Sequence, residues 1–301
     1  MSIKQKLLVL IAVTVVVFVA VIATQLRLRA DVVVGGKDFT EQNVLGEIVA
    51  LMIEENSDLS VDRRLYLGGT MICFRALQAG ALDLYVEYTG TGLVNILDQE
   101  VIQDPDEAYR TVQERFNELY ELSWLAPLGF NNTYTLTMRR DHAEELGVEK
   151  ISDLQDIDTS DLSAGFDAEF IERPDGYPGL KEHYGFEVAG SVRQMDPGLM
   201  YRAAADGSVD IICAFATDGR IAAYDLLVLE DDLAFFPPYY AAPLVRNDTL
   251  QRFPELSGIL NRLEGAISDE EMSEMNLRVD EDGESPRDVA RQFLTEKGLI
   301  D

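Results

Sequence analysis

From residue 31 onward the spacing of apolar positions changes at short intervals. Asp31-Val-Val-Val-Gly-Gly is an apolar run ending in glycines, which predicts a short buried strand. Thr40 to Glu55 then places Val44, Leu45, Ile48, Val49, Leu51, Met52 and Ile53 at helical intervals, with Thr40 as the expected N-cap. Val61 to Leu67 predicts a second strand, Met71 to Ala79 a second helix stopped by Gly80, and Leu82 to Val86 a third strand. Such alternation of strand and helix predicts a parallel α/β layer. Pro105 to Tyr120 continues as a polar amphipathic helix and Leu122 to Leu125 as a strand.

The pattern then begins again. Residues 133–139 alternate as a strand leaving the first layer, and Ile151 to Leu154 with Leu162 to Phe166 opens a second α/β layer. Helices near Gly179–Tyr184 and Gly198–Ala205 and a strand over Val209–Phe215 extend it. Phe235 to Val245 contains Pro237, Pro238 and Pro243, which exclude helix and predict an extended return strand. The tail reads as helices over Leu250–Glu264, Asp269–Val279 and Pro286–Lys297. The expected architecture is therefore two α/β lobes with parallel or mixed sheets. Residues 31–135 plus 240–301 form the first lobe and 136–239 the second, joined by two extended crossings around a cleft.

Ahead of these lobes, Leu7 to Thr24 is an apolar run of eighteen residues, preceded by Lys4 and Lys6 and followed by Arg27 and Arg29. That length approaches a bilayer span, so residues 1–30 are expected to be an uncleaved membrane anchor, with a cleaved signal peptide as the alternative. Either way the body of the protein is expected outside the cytoplasm. The chain as a whole is strongly acidic: 25 Lys and Arg against 54 Asp and Glu give a net charge of −29. Without clustered basic residues, a nucleic-acid-binding face is excluded. A dispersed acidic surface also suits high ionic strength, where self-repulsion is screened, so a salt-rich habitat is expected. The two cysteines, Cys73 and Cys213, lie in apolar runs and read as buried hydrophobes; their spacing suggests neither a disulfide nor a metal site. No nucleotide-binding loop or Ser/His/Asp arrangement marks an enzyme, and no cofactor is expected.

Chemistry concentrates in two short segments. Tyr85-Val-Glu-Tyr88-Thr-Gly-Thr91-Gly puts a tyrosine and hydroxyls on a glycine-rich turn, and Gly36-Lys37-Asp38-Phe39-Thr40-Glu41-Gln42 offers a lysine where a strand gives way to a helix. Aromatic faces attract bulky organic cations and a lysine neutralises a carboxylate, so together they suit a zwitterion such as a betaine. Plainer readings stand beside this one. Tyr88 can simply end a strand, Lys37 can pair with Asp38 or Glu41, Arg173-Pro-Asp-Gly can be an exposed turn, and Phe215 can be core. Of Tyr239 and Tyr240, adjacent on an extended segment, one can face the cleft.

Seven segments occur in one order: GGKDFTEQ, LGGTMICFRALQAGALDLYVEYTGTG, NNTYTL, ERPDGYPGL, MDPGLMY, the ATDGRI after Phe215, and FFPPYYAAPLV. Together they resemble the glycine betaine/choline/proline-betaine-binding proteins of osmoprotectant ABC importers, over about residues 32 to 300. The resemblance implies a bilobed type II periplasmic-binding fold with an aromatic cage between lobes. Tyr88, Tyr134 and Tyr239 match cage positions, and Phe215 stands where the family usually has tyrosine. Asn132 matches a polar ligand contact, and Lys37, Thr91 and Arg173 match positions that hold a betaine carboxylate. Glycine betaine is the ligand implied first, with proline betaine, carnitine and choline after it. Choline is disfavoured here because it would leave two cations without an anion. The implied partners are an ABC permease with its ATPase subunits; a membrane-anchored sensor of the same solutes is the alternative.

Overall fold

The computed structural model describes residues 30–301, so the expected anchor lies outside the described residues. Among the described residues, no helix is long and apolar enough to cross a membrane. The first layer runs β1 (Val32–Gly35), α1 (Thr40–Asn56), β2 (Val61–Arg64), α2 (Thr70–Gln78) and β3 (Leu84–Tyr88), in the order the apolar spacing predicts. Thr40 is not the N-cap of α1: Phe39 holds that position, and the Thr40 hydroxyl instead donates to Asp280 Oδ1 at 2.5 Å. The segment after β3 is not a turn but a π-helical stretch, Thr91–Ile96, closed by the Leu97 N–H on the Gly92 carbonyl at 3.0 Å. α3 (Pro105–Tyr120) follows, capped by the Asp104 carboxylate, and then β4 (Leu122–Trp124).

The second layer comprises β5 (Tyr134–Arg139), α4 (Arg140–Leu146), β6 (Ser163–Phe166), α5 (Ala168–Glu172), α6 (Tyr177–Tyr184), β7 (Ser191–Gln194), α7 (Pro197–Ala205), β8 (Ile211–Phe215), α8 (Arg220–Ala223) and β9 (Leu226–Val228). Ile151–Gln155 is a 3-10 turn. The chain then returns through β10 (Ala241–Arg246) to α9 (Asn247–Arg252), α10 (Glu255–Leu260), α11 (Asp269–Asp280) and α12 (Pro286–Glu296). The helix expected over Leu250–Glu264 is broken because Phe253, ahead of Pro254, is forced out of helical geometry to φ −132°, ψ 75°.

Both sheets are mixed. The first has the order β2-β1-β3-β10-β4 and the second β7-β6-β8-β5-β9. In the first, β10 runs antiparallel to β3 and β4; in the second, β5 runs antiparallel to β8 and β9. Each antiparallel strand is the one that enters its sheet directly from the other layer. Parallel strands deliver their carboxyl ends to the gap between the layers, so a strand arriving across that gap must run the opposite way. Its first residue then sits beside their last ones. The two crossings are paired: Asn131 bridges Tyr240, and the Asn132 N–H donates to the Tyr239 carbonyl at 3.2 Å.

Candidate ligand-binding site

This topology decides which residues face the gap. Lys37 follows β1, Tyr88 ends β3, Asp167 follows β6 and Phe215 ends β8, while Tyr134 opens β5 and Tyr239 precedes β10. Carboxyl ends of strands in open α/β sheets are where ligands bind. A cavity of about 420 Å³ lies here, and Lys37, Tyr88, Thr91, Asn132, Tyr134, Arg173, Phe215 and Tyr239 all line it. Tyr240 is not among the lining residues. Phe39, Asp167, Glu169 and Asp196 line it as well and were not singled out in the sequence. Phe39 was in view within GGKDFTEQ, but a phenylalanine between a strand and a helix also reads as packing.

The aromatic residues form a continuous wall. Phe39 stacks on Phe215 with ring centroids 5.4 Å apart and planes 15° from parallel, and Phe39 lies 6.4 Å from Tyr88. Tyr134 lies 5.3 Å from Phe215 and meets Tyr239 edge-on at 5.8 Å. Burial holds the phenols of Tyr88, Tyr134 and Tyr239 well above their usual range, so they stay neutral. Glycines set this wall. A Cβ on Gly90 would come within 2.8 Å of the Tyr239 ring, and one on Gly92 within 2.7 Å of Trp124. Close packing, rather than a turn, accounts for the glycines of the YTGTG segment.

Two hydroxyls of the wall are fixed from behind: that of Tyr239 donates to Asp175 Oδ2 at 2.6 Å, and that of Tyr88 is held by two groups. The Tyr88 hydroxyl donates to Glu41 Oε1 at 2.6 Å and accepts from Gln42 Nε2 at 3.0 Å. Glu41 is buried and also accepts from Asn132 Nδ2 at 2.8 Å, Asn276 Nδ2 at 3.2 Å and the Thr217 hydroxyl. Burial pushes the Glu41 carboxyl above its ordinary value. The Asn132 amide is thereby engaged within the protein, since its Oδ1 also accepts the Thr217 N–H at 3.4 Å.

The basic groups are paired too, though not as the sequence suggests. Lys37, 4% exposed, donates to Glu87 Oε1 at 2.6 Å and Thr70 Oγ1 at 2.9 Å, and pairs with neither Asp38 nor Glu41. Arg173, also 4% exposed, is no surface turn: it forks onto Asp175 at 2.8 and 2.5 Å and donates to Thr91 Oγ1 at 3.2 Å. Burial opposes its charge, but Asp175 outweighs that and keeps the guanidinium protonated. The reason for disfavouring choline therefore fails, because neither cation depends on a ligand for its anion. Glu169 ties the layers together across the cavity, accepting from the Thr70 N–H at 2.5 Å and its hydroxyl at 2.9 Å. Gly69 allows that approach, since a Cβ there would lie 2.4 Å from Glu169 Oε1.

Two α/β lobes closed over a buried aromatic cavity define a solute-binding protein of the periplasmic-binding fold. The profile for the substrate-binding domain of ABC-type glycine betaine transport systems matches residues 30–296, and the chain belongs to this family, whose members are binding proteins and not enzymes. It is 37% identical over 268 residues to the ergothioneine transport permease/ergothioneine binding protein EgtU of Helicobacter pylori (strain G27), covering 89% of this chain and 48% of that protein. The chain thus spans about half the length of that relative. It is 36% identical over 280 residues to the glycine-betaine-binding protein of Pseudomonas aeruginosa PAO1, covering 89% of this chain and 88% of that one. A crystal structure described as a glycine betaine/carnitine/choline ABC transporter superimposes with a TM-score of 0.74 at 35% identity, over 90% of this chain and all of that one.

Proposed function

We propose that the chain is the extracytoplasmic solute-binding component of an ABC importer, anchored by residues 1–30, and that its ligand is a quaternary-ammonium solute of the glycine betaine and carnitine kind. The observation that carries this reading is the set of five rings, Phe39, Tyr88, Tyr134, Phe215 and Tyr239, around one cavity. A trimethylammonium group has no N–H to donate, so hydrogen bonding cannot recognise it, whereas each aromatic face contributes about 0.5–2 kcal/mol of cation–π attraction. Lys37 Nζ lies 5.1 Å from the Tyr88 ring centroid, and Arg173 Cζ lies 5.5 Å from that of Tyr134 and 5.9 Å from that of Tyr239. These cations and Thr91 therefore border the wall itself and suit a ligand carboxylate where one is present. Lys37 uses two of its three N–H donors on Glu87 and Thr70, which leaves one for a ligand. Binding to both lobes would favour the closed arrangement that Glu169 and Thr70 hold, the form a permease would receive.

Isothermal titration of the full chain with glycine betaine, carnitine and choline tests the reading. Dissociation constants of about micromolar order are expected for at least one of them. Absence of heat and of thermal stabilisation with all three would sink it.

A further inference from the structure

Around the cavity, every basic group has an acidic partner, but the converse does not hold. Lys37 is paired with Glu87 and Arg173 with Asp175, and Glu169 lies 3.4 Å from Arg173. Asp38 and Asp196 line the rim and are exposed to water. Asp167 differs from all of these. It lines the cavity and is 4% exposed, yet among the described residues no Lys, Arg or His nitrogen lies within 4.0 Å of its carboxylate. One oxygen accepts the Phe170 N–H at 3.0 Å, as the cap of the short helix α5; the other has the Cys213 thiol at 3.4 Å. One neutral N–H and a weak thiol donor compensate a buried carboxylate poorly. Desolvation accordingly pushes the Asp167 carboxyl above its ordinary value. Phe170, which Asp167 caps, packs its ring 5.0 Å from that of Tyr134, so this carboxylate stands at the edge of the aromatic wall.

We propose that Asp167 is the counter-charge for the ligand's quaternary nitrogen, so that the site selects positive charge and takes a monocation such as choline alongside zwitterions. This rests on the quaternary-ammonium reading and adds the charge class of the ligand to it. An onium ion spreads its charge over methyl groups and makes no directional demand, so a carboxylate beside an aromatic cage meets it by Coulomb attraction alone. The balance of the whole site agrees. Asp38, Asp167, Glu169 and Asp196 on the lining, backed by Glu87 and Asp175, outnumber Lys37 and Arg173. A zwitterion leaves that excess unchanged, while a monocation reduces it.

The test is calorimetry of the full chain with choline and with glycine betaine, comparing the wild type with Asp167→Asn. Asparagine caps a helix about as well as aspartate, so α5 is retained and the melting temperature should hold. Choline is expected to bind the wild type within about tenfold of glycine betaine, and the substitution to weaken choline by about tenfold or more. A second readout is the pH profile for choline, which does not itself titrate in this range. Wild-type affinity should fall as the pH is lowered into the acid range, because protonation of Asp167 removes the counter-charge, and this component should be missing in Asp167→Asn. The groups facing Asp167 are Glu169 and Arg173 from its own segment, Tyr134 on β5 and Cys213 on β8, with Lys37, Asp38 and Asp196 on the same cavity; all are shared by both proteins, so the difference between profiles isolates Asp167. Unchanged choline affinity and an unchanged profile in Asp167→Asn overturn the inference and leave the quaternary-ammonium reading standing. If the wild type binds neither solute, the reading itself falls. Should the variant fail to fold, a wild-type choline affinity that is flat with acidification overturns the inference by itself.

Discussion

Tyr88 serves the cavity with its ring and the interior with its hydroxyl, and the two roles can be separated. Tyr88→Phe keeps the ring but takes one donor from Glu41 and one acceptor from Gln42. It should lower stability by about 1–2 kcal/mol while leaving affinity for a quaternary ammonium within a few-fold, as thermal melts and calorimetry would show. Tyr134→Ala should do the reverse, weakening that affinity by about tenfold through loss of one wall of the cage, with the calorimetric constant as the measure. An unaffected constant would argue that Tyr134 merely packs. At this scale the sequence showed where aromatic and basic residues fall but not how they are satisfied. Nothing in the spacing of Lys37 and Glu87, fifty positions apart, announces an ion pair, because adjacent parallel strands create it. Asp167 was invisible for a different reason: it looks like an ordinary helix cap, and it is one, but it is also buried against a cavity.

Among the elements, helices with a clear apolar stripe were legible almost to the residue, as α3 shows, because periodicity reflects burial on one side. The short strands β7 and β9 were not. β7 reads Ser-Val-Arg-Gln, is largely exposed and lies at a sheet edge, so neither alternation nor an apolar run marks it. The stretch after β3 misled in another way, since glycines that permit close packing carry the same letters as glycines that make turns. Two of the glycines at the cavity make contrasting predictions. At Gly90 an added Cβ meets the Tyr239 ring at 2.8 Å and the Pro238 carbonyl at 2.9 Å, and backbone cannot step aside. Gly90→Ala should therefore displace Tyr239 and lower both melting temperature and affinity, by about 1–3 kcal/mol in stability. At Gly69 the obstacle is the Glu169 side chain, which can swing away. Gly69→Ala should leave the melting temperature nearly unchanged but break the contact between lobes, reducing ligand affinity several-fold and expanding the ligand-bound form in small-angle scattering. A compact ligand-bound form with full affinity would show that Glu169 does not help to hold the lobes together.

For the whole molecule, the charge of −29 governs behaviour in salt more than it governs the fold. Raising ionic strength from about 0.1 M to 1 M shortens the screening length from roughly 10 Å to 3 Å. Self-repulsion should then fall and the melting temperature rise; a melting temperature independent of salt would refute the expectation of a salt-adapted surface. The division into two α/β layers was readable from the restart of the apolar pattern. The direction of β5 and β10 was not, because strand direction depends on which side of a sheet the chain arrives from, and periodicity carries no such information. The paired crossings have one more consequence. Every strand of the second sheet comes from one unbroken stretch, Tyr134 to Val228, and the chain on either side of it is zipped together by the Asn131–Tyr240 bridge. That stretch is in effect a cassette spliced between two neighbouring backbone positions of a host, so a linker in its place has only a short gap to span, while any exchanged cassette must again supply what Thr217 gives to buried Glu41 and Arg220 to Asp280.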